Sequence, residues 1–488
     1  MLFNSVTYIL VFLPLAVLLY WALRGKARLS FLISASVIFY GFWRVEFLPL
    51  MFASAVVDYF LALAIDKAQD PGRRKHLMWV SIAFNLGVLG FFKYLVFFKD
   101  TIWSIAGAIG YAPGPVELYI ILPLGISFYI FQTMSYTIDV YRRDIEPERD
   151  VVTYLAFVTF FPHLVAGPIM RPHVLIPQLE NPPPFRWRNM RIGFERILAG
   201  LFMKVVLADS VAGFVDAGFA QGAHSLTAID SWTLSFLFGF QIYFDFAGYS
   251  SIAIGSALMM SIFVPENFNW PYMATSPREF WKRWHISLST WIRDYLYIPI
   301  MGNYKAQGTG AWDTFRDVGE VKSPWRRSYA LFVTWGIMGL WHGANWTFAI
   351  WGIYHAVLIY LHRLLAPLAT WRGRAMPAWM AWMMALPLMM AGWIPFRAAN
   401  LADSFTMWGR MFWPFGHLSM TLAPNSYILA AALMLGSLII WWAREVVTPK
   451  LGQTAWPVLA MRTLYFMVAG AIVFVMLQSR SQFIYFQF

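Results

Sequence analysis

The chain has 488 residues, 59% of them hydrophobic and 13% charged. Soluble domains run near half apolar and a quarter charged, so both departures point to a membrane. The absence of cysteine excludes disulfides, thiolate nucleophiles and thiolate metal sites. Although 37 Lys and Arg against 25 Asp and Glu leave a net charge of +12, the basic residues collect in short loops, as membrane topology requires. No nucleic-acid-binding motif is present, and nucleic acid is set aside as a partner.

A helix needs about 20 mostly apolar residues to cross a bilayer, and such stretches recur along the whole chain. In order they fall near 6–23, 29–43, 49–66, 78–98, 119–141, 197–218, 231–262, 329–346, 347–364, 377–397, 425–443 and 457–477, about twelve spans by the same length rule. The N-terminus, MLFNSVTYILVFLPLAVLLYWALRGK, lacks a charged start and a small-residue cleavage site, so it is expected to be a retained span. Pro and Gly interrupt several spans, which is tolerated where neighbouring helices or a cavity satisfy the freed backbone groups.

Alternate crossings place nearly every basic cluster on one side: Arg24/Lys26/Arg28, Lys67 to Lys75, Arg142/Arg143, Arg186 to Arg196, Lys282 to Arg327, Arg363 to Arg374 and Arg444 to Lys450. The sparsely basic segments 44–48, 99–118, 219–230 and 398–424 fall on the other. The positive-inside rule makes the basic side cytoplasmic and puts both termini outside. Residues 151–170, VVTYLAFVTFFPHLVAGPIM, are apolar yet lie between two inside loops, so they are expected to form a re-entrant hairpin broken at Pro162 and Gly167–Pro168. Residues 265–328 are too polar to span and are expected to form interfacial helices with Trp and Tyr at headgroup level. The fold class is therefore an all-α polytopic membrane protein: one membrane-embedded domain over 1–488, with its motifs between about 119 and 365 and further helices over 366–488.

Four segments could carry chemistry. In 278–299, REFWKRWHISLSTWIRDYLYIP, helical spacing puts Arg278, Lys282 and His285 on one face among Trp281, Trp284 and Trp291. This reads either as a basic interfacial helix for anionic lipid headgroups or as a cationic rim for an anionic acyl donor such as a coenzyme A thioester. In 334–347, TWGIMGLWHGANWT, His342 lies in an apolar run between Trp341 and Trp346, with Gly336, Gly339 and Gly343 nearby. Ionisable groups within a membrane are costly and usually face a cavity; a buried neutral imidazole suits a general base, the alternative being a hydrogen-bonded packing histidine.

In 239–250, GFQIYFDFAGYS, Asp245 needs a partner or a wet cavity and could orient His342 or serve as a hydrogen-bond hub. In FFPHLVAGPIMRP, His163 and His173 are separated by two prolines, and no two of the nine histidines show metal-ligand spacing with a carboxylate, so no metal site is expected. Gly-x-Ser-x-Gly and P-loop patterns are absent, which removes hydrolase-elbow and ATP-driven readings.

The ordered set FFPHLVAGPIMRP, YFDFAGYSSIAIG, ENFNWPY, REFWKRWHISLSTWIRDYLYIP and GLWHGANWTFAIWGIYH resembles the membrane-bound O-acyltransferase family over roughly residues 1–400, and most of all its bacterial alginate O-acetylation branch. The resemblance implies helices around a thinned centre pierced by a tunnel, with His342 as the catalytic histidine and His285 as the second family histidine. It implies no tightly bound cofactor, acetyl-CoA as a cytoplasmic donor substrate, periplasmic acetyltransferase partners, an exopolysaccharide as final acceptor and a bacterial inner-membrane location. Asp245 and Arg283 become candidates for orientation and donor-phosphate contact, and Tyr243, Trp341 and Asn345 for the tunnel wall. Within YSSIAIGSALMMSIFVPENF, Ser251 stands where an acidic residue is expected, and Phe263–Val264 where a polar pair is common. The rival class is a transporter or flippase, which twelve spans and a buried Asp245 would suit; the missing internal repeat counts against it.

Overall fold

In the computed structural model, the described residues are 1–111, 114, 117–165, 167–302, 323–366, 370–371, 374–415, 417–451 and 456–477. Their contacts group into two compact units, one built from residues 1–194 and 253–265, the other from 195–252, 266–302 and 323–477. Apart from a two-residue antiparallel ladder, Thr370–Trp371 with Arg374–Ala375, the regular structure is helical, as the composition implies.

The first unit contains α1 (Leu13–Ala22), α2 (Gly25–Gly41), α3 (Leu48–Lys67), α4 (Pro71–Leu89), α5 (Leu95–Ala108), α6 (Ile126–Arg142), α7 (Val151–Thr159), α8 (Phe161–Leu164) and α9 (Pro172–Glu180). Helices α10 (Trp187–Leu201), α11 (Asp209–Phe219) and α12 (Ala228–Met259) follow, then the short α13 (Pro277–Arg283), α14 (Ile286–Ile292) and α15 (Ile298–Met301). Next come α16 (Pro324–His342), α17 (Trp346–Leu365), α18 (Ala378–Ala391), α19 (Trp393–Arg397) and α20 (Leu401–Phe412). The last are α21 (Pro424–Trp442), α22 (Thr448–Leu451) and α23 (Trp456–Met476).

Among the described residues, seven helices are long and apolar enough to cross a membrane: Val45–Lys67, Pro71–Ala108, Trp187–Phe219, Trp346–Leu365, Ala378–Arg397, Pro424–Lys450 and Trp456–Met476. The hydropathy reading expects about twelve. The other predicted stretches are also helical, as α1, α2, α6, α12 and α16, but fall short in length or apolarity. Helix α6 shows why: every residue from Ile126 to Val140 is buried, including Gln132, Thr133, Ser135, Thr137 and Asp139. Such a helix meets protein on all sides and can carry polar groups that a lipid-facing helix cannot.

The expected hairpin over 151–170 is helix, break, helix, but the break falls at Phe160, which lies outside helical geometry (φ −47°, ψ 105°). Pro162 instead sits in the first turn of α8, where its missing N–H breaks no hydrogen bond. Gly167 is needed for space, since a Cβ there would lie 2.6 Å from the His163 Cα. Gly125 opens α6 in the left-handed region (φ +69°) against the backbone of Leu164, a place where side chains are both strained and crowded.

Buried polar clusters tie the helices together. In the first unit Asp58 of α3 accepts from Ser81 Oγ (2.5 Å) and Asn85 Nδ2 (2.7 Å) of α4, and Ser54 Oγ donates to Asn85 Oδ1 (2.8 Å). In the second, buried Asp230 at the start of α12 accepts from the Thr227 amide (2.9 Å) and hydroxyl (2.8 Å) and the Thr421 hydroxyl (2.6 Å). The Thr421 amide and the Tyr427 hydroxyl add two more bonds. Burial alone would raise this carboxyl's pKa, but the hydrogen bonds from Thr421, Tyr427 and Thr227 win and hold it well below the usual range.

Asp230→Ala therefore removes a charged acceptor from several donors and is expected to cost about 2–4 kcal/mol, read as a lower melting temperature in detergent. Because the folded pKa is depressed, the stabilisation is complete above the unfolded value near ~4 and is lost as pH falls toward the folded one. The wild-type melting temperature should fall over that acid window more steeply than that of Asp230→Asn.

Candidate active site

The site grows from the contact of α16 with α17. A Cβ on Gly339 would run into the carbonyl of Phe348, and one on Gly352 into the carbonyl of Trp335. With hydrogen at both positions the two backbones touch, the close approach that small residues allow in membrane helices. Gly343 does the same for the Phe348 ring. The turn between the helices is closed by Asn345, whose Oδ1 accepts from the Thr347 amide (3.0 Å) as the N-cap of α17.

His342 is the last residue of α16 and is 5% exposed. Its ring lies 4.9 Å from Trp341, 4.9 Å from Trp351 and 5.3 Å from Phe396, edge-on to each. The imidazole thus sits in an aromatic box supplied by α16, α17 and α19. Trp341 also faces His285, at 6.5 Å between ring centres, so the two candidate histidines flank one indole.

His285 is held differently from the sequence expectation. The 278–299 segment is not one helix: α13 ends at Arg283, and His285 adopts a left-handed backbone (φ +41°) before α14 begins. Arg278, Lys282 and His285 therefore do not lie on one continuous helical face. The loop containing ENFNW imposes the break. Asn269 N donates to the Arg283 carbonyl and Ile286 N to the Asn267 carbonyl, each at 2.9 Å. Asn267 Oδ1 accepts from the Ser287 amide (3.3 Å) and hydroxyl (2.9 Å) and lies 3.1 Å from His285 Nδ1.

An oxygen that already accepts from Ser287 must also accept from His285, so Nδ1 carries the proton and Nε2 the lone pair. Burial pushes the His285 pKa down to about 3, which keeps the ring neutral at physiological pH. Asn267 Nδ2 in turn donates to Ser250 Oγ of α12 (3.1 Å). Asn267 is the positioning residue that the sequence reading quoted in a motif and assigned no role.

The remaining candidates separate. Tyr243 stacks among Tyr272 (5.4 Å), Phe268 (5.9 Å) and Trp284 (6.1 Å). Asp245 meets Lys204 Nζ at 2.7 Å, and the same ammonium reaches Asp209 at 2.8 Å. Lys204 lies inside a predicted span and escaped the sequence reading because hydropathy averages over a single cation. Arg283 pairs with Glu279 (2.7 Å) and donates to the Asn269 carbonyl (3.2 Å), which fastens the end of α13 to the preceding loop.

Ser276 caps α13, its hydroxyl accepting from the Glu279 amide (3.1 Å), while the Glu279 carboxylate accepts from the Thr275 amide (2.8 Å); the Ser-x-x-Glu pattern is visible in the sequence. His163 lies in the first unit, 2.8 Å from Gln132 Nε2. No group of three or more metal-ligating side chains occurs among the described residues.

A helical chain that buries imidazoles and ion pairs among membrane-length helices belongs to the class of intramembrane enzymes and transporters, and comparison with known proteins decides between them. The family model of the membrane-bound O-acyltransferases matches residues 147–312. A probable alginate O-acetylase of Azotobacter vinelandii is 40% identical over 416 residues, covering 84% of this chain and 78% of that one. A probable alginate O-acetylase of Pseudomonas putida is 35% identical over 511 residues and matches end to end, 100% of both chains. The peptidoglycan O-acetyltransferase of Helicobacter pylori is 36% identical over 440 residues, 83% of this chain and 78% of that one. The chain belongs to the membrane-bound O-acyltransferase family and is an O-acyltransferase.

Two perturbations test the site's frame. Gly352→Ala should cost on the order of 3 kcal/mol by forcing the helices apart, whereas Gly336→Ala, whose nearest neighbour would be the Ile353 Cδ1 at 3.7 Å, should be neutral or stabilising by up to about 1 kcal/mol. Lys204→Met should destabilise by about 3–5 kcal/mol by stranding Asp245, and Lys204→Met with Asp245→Asn should recover part of that loss. Melting curves in detergent read both.

Proposed function

We propose that this chain takes acetyl from a cytoplasmic donor, acetyl-CoA, and relays it across the bacterial inner membrane for O-acetylation of an exopolysaccharide. The observation that carries the reading is His342, buried at the end of α16 in a box of Trp341, Trp351 and Phe396, with His285 across the Trp341 indole. The names of the relatives support acetyl as the group and a cell-envelope polymer as the acceptor.

In this reading His342 is the catalytic base. As an acceptor hydroxyl attacks the thioester carbonyl, its proton passes to the imidazole; the tetrahedral adduct collapses, the C–S bond breaks, and the departing thiolate takes the proton back. An imidazole enclosed by aromatic rings suits this role, because exclusion of water strengthens its interaction with charge that develops beside it. His285 is the second histidine of the site, presenting Nε2 while Asn267 holds Nδ1. Trp341 and Tyr243 wall the passage, Asn345 shapes the turn beside His342, and Asp245 acts through its pairing with Lys204. Arg283, which Glu279 also engages, is the candidate for donor-phosphate contact.

Helices surround a central tunnel in this reading, and both termini lie on the periplasmic side with the basic loops in the cytoplasm. Partner acetyltransferases collect the group outside, docking on segments such as 99–118 and 398–424, and alginate or a related polymer is the final acceptor.

His342→Ala should abolish polymer acetylation in cells while membrane abundance stays normal, measured by acetyl content of the secreted polymer alongside an immunoblot. Acetylation at wild-type level in that variant would remove His342 from the chemistry.

A further inference from the structure

The pair of helices α16 and α17 ends, on the side away from His342, in a group of cations. Three contacts set the register of the two helices: Gly352 against the Trp335 carbonyl, Gly339 against the Phe348 carbonyl, and the Phe332 ring 5.9 Å from that of Tyr360. Continued antiparallel, this register brings Arg327, in the opening turn of α16, within about a turn of His362 and Arg363 in the last turn of α17. Helix α13 packs on the same pair through Trp281, 5.6 Å from Trp351 and 5.0 Å from His355. Its Arg278 acts electrostatically on both His362 and Arg363, and Arg327 acts on Arg363 as well.

No acid answers these cations. Arg327, His362 and Arg363 form no ion pair among the described residues, and the other groups acting on Arg363 are the Tyr297 and Tyr360 hydroxyls. Arg326 differs, since its Nε donates to the Ile300 carbonyl (3.1 Å). Arg327, His362 and Arg363 are half-buried, so their repulsion is screened less than on an open surface. The dipole of α16 also disfavours a cation at this end of the helix and favours an anion. An anion held among the three helices relieves the repulsion, and guanidinium groups match the oxygens of a phosphate.

The surroundings of the cations select the anion. Leu361, Leu364 and Leu365, interleaved with His362 and Arg363, are exposed. So are Trp325 and Tyr329, which flank Arg327 in sequence and stack at 5.4 Å. A soluble phosphate compound would leave this apolar border bare. A phospholipid covers it: the phosphate meets the cations at the helix ends, the acyl chains lie along the leucines, and Trp and Tyr stand at headgroup level, where they are favoured. Basic pockets between membrane helices hold anionic lipid headgroups in this manner.

We propose that Arg327 and Arg363, with Arg278 and His362, bind the phosphate of an anionic phospholipid whose acyl chains pack along Leu361, Leu364 and Leu365. The site stands independently of the chemistry at His342. The test is thermal melting of the full-length protein in detergent, titrated with phosphatidylglycerol, with zwitterionic phosphatidylcholine and with inorganic phosphate. Phosphatidylglycerol should raise the wild-type melting temperature saturably, and the other two should not. The double variant Arg327→Gln/Arg363→Gln should need about 25-fold more phosphatidylglycerol for half the effect, each cation contributing roughly a factor of five. Arg327→Lys/Arg363→Lys should retain most of the response. Arg186→Gln/Arg188→Gln, which removes the same charge from exposed positions around the start of α10, should respond as wild type does. Without anionic lipid the glutamine variant should melt no lower than wild type, since it loses repulsion and no ion pair. An undiminished response of the glutamine variant, an equal weakening in the α10 control, or a lower melting temperature of the glutamine variant without lipid would overturn the site. An equal rise with inorganic phosphate would assign the cations to a soluble phosphate compound and overturn the lipid.

Discussion

Two helices whose backbones touch can hold large side chains on either side of the contact in one relative position. At Gly339 and Gly352 of this chain, a methyl group on either residue would strike the carbonyl of its neighbour. Interiors are packed too tightly to absorb such an insertion by local adjustment. The spacing so set carries His342 and Trp341 on α16 and Phe348, Trp351 and His355 on α17, and the aromatic rings then fill the volume on both sides. Edge-to-face arrangements at about 5 Å recur throughout this cluster, the geometry that ring quadrupoles favour. The candidate active site is in this sense a consequence of two missing side chains.

Around that frame, several buried polar groups are committed to partners. Lys204 offsets Asp245 and Asp209, Glu279 engages Arg283, and Asn267 uses both ends of its amide on His285, Ser287 and Ser250. A low-dielectric surrounding makes each commitment strong and each stranded group costly. It also keeps an imidazole uncharged until a proton is delivered by chemistry, the condition for a base that must act on a hydroxyl at neutral pH. Structure and reactivity thus draw on the same exclusion of water.

The membrane class, the helical fold and the family were legible in composition, hydropathy and motif order. What was not legible has a common physical cause: a sequence shows that a group is polar but not what lies opposite it. Asp245 announced a need for a partner, yet Lys204 stands on another helix, with α11 and a loop between them in the chain, and disappears in a hydropathy average. The pairing of Arg283 with Glu279 was likewise not foreseen, although the two stand four residues apart on α13. The left-handed backbone at His285 could not be foreseen, because it is imposed by the loop around Asn267 and Asn269 and not by local propensity. Helices such as α6 were counted as spans for their apolar residues, while their burial on every side depends on neighbours. The break at Phe160 follows the same rule: proline is a breaker within a helix and a starter at its first turn, and only the fold decides which.

The central claim is that acetyl moves from a thioester on the cytoplasmic side to an acceptor on the other side through the site built around His342. The most direct measurement uses proteoliposomes with the protein in one orientation, radiolabelled acetyl-CoA added only on the side of the basic loops, and a periplasmic acetyltransferase partner only on the opposite side. The account predicts label on the partner with wild-type protein and none with His342→Ala. Equal labelling by the two proteins, or no labelling by the wild type while acetyl-CoA remains bound, would contradict it.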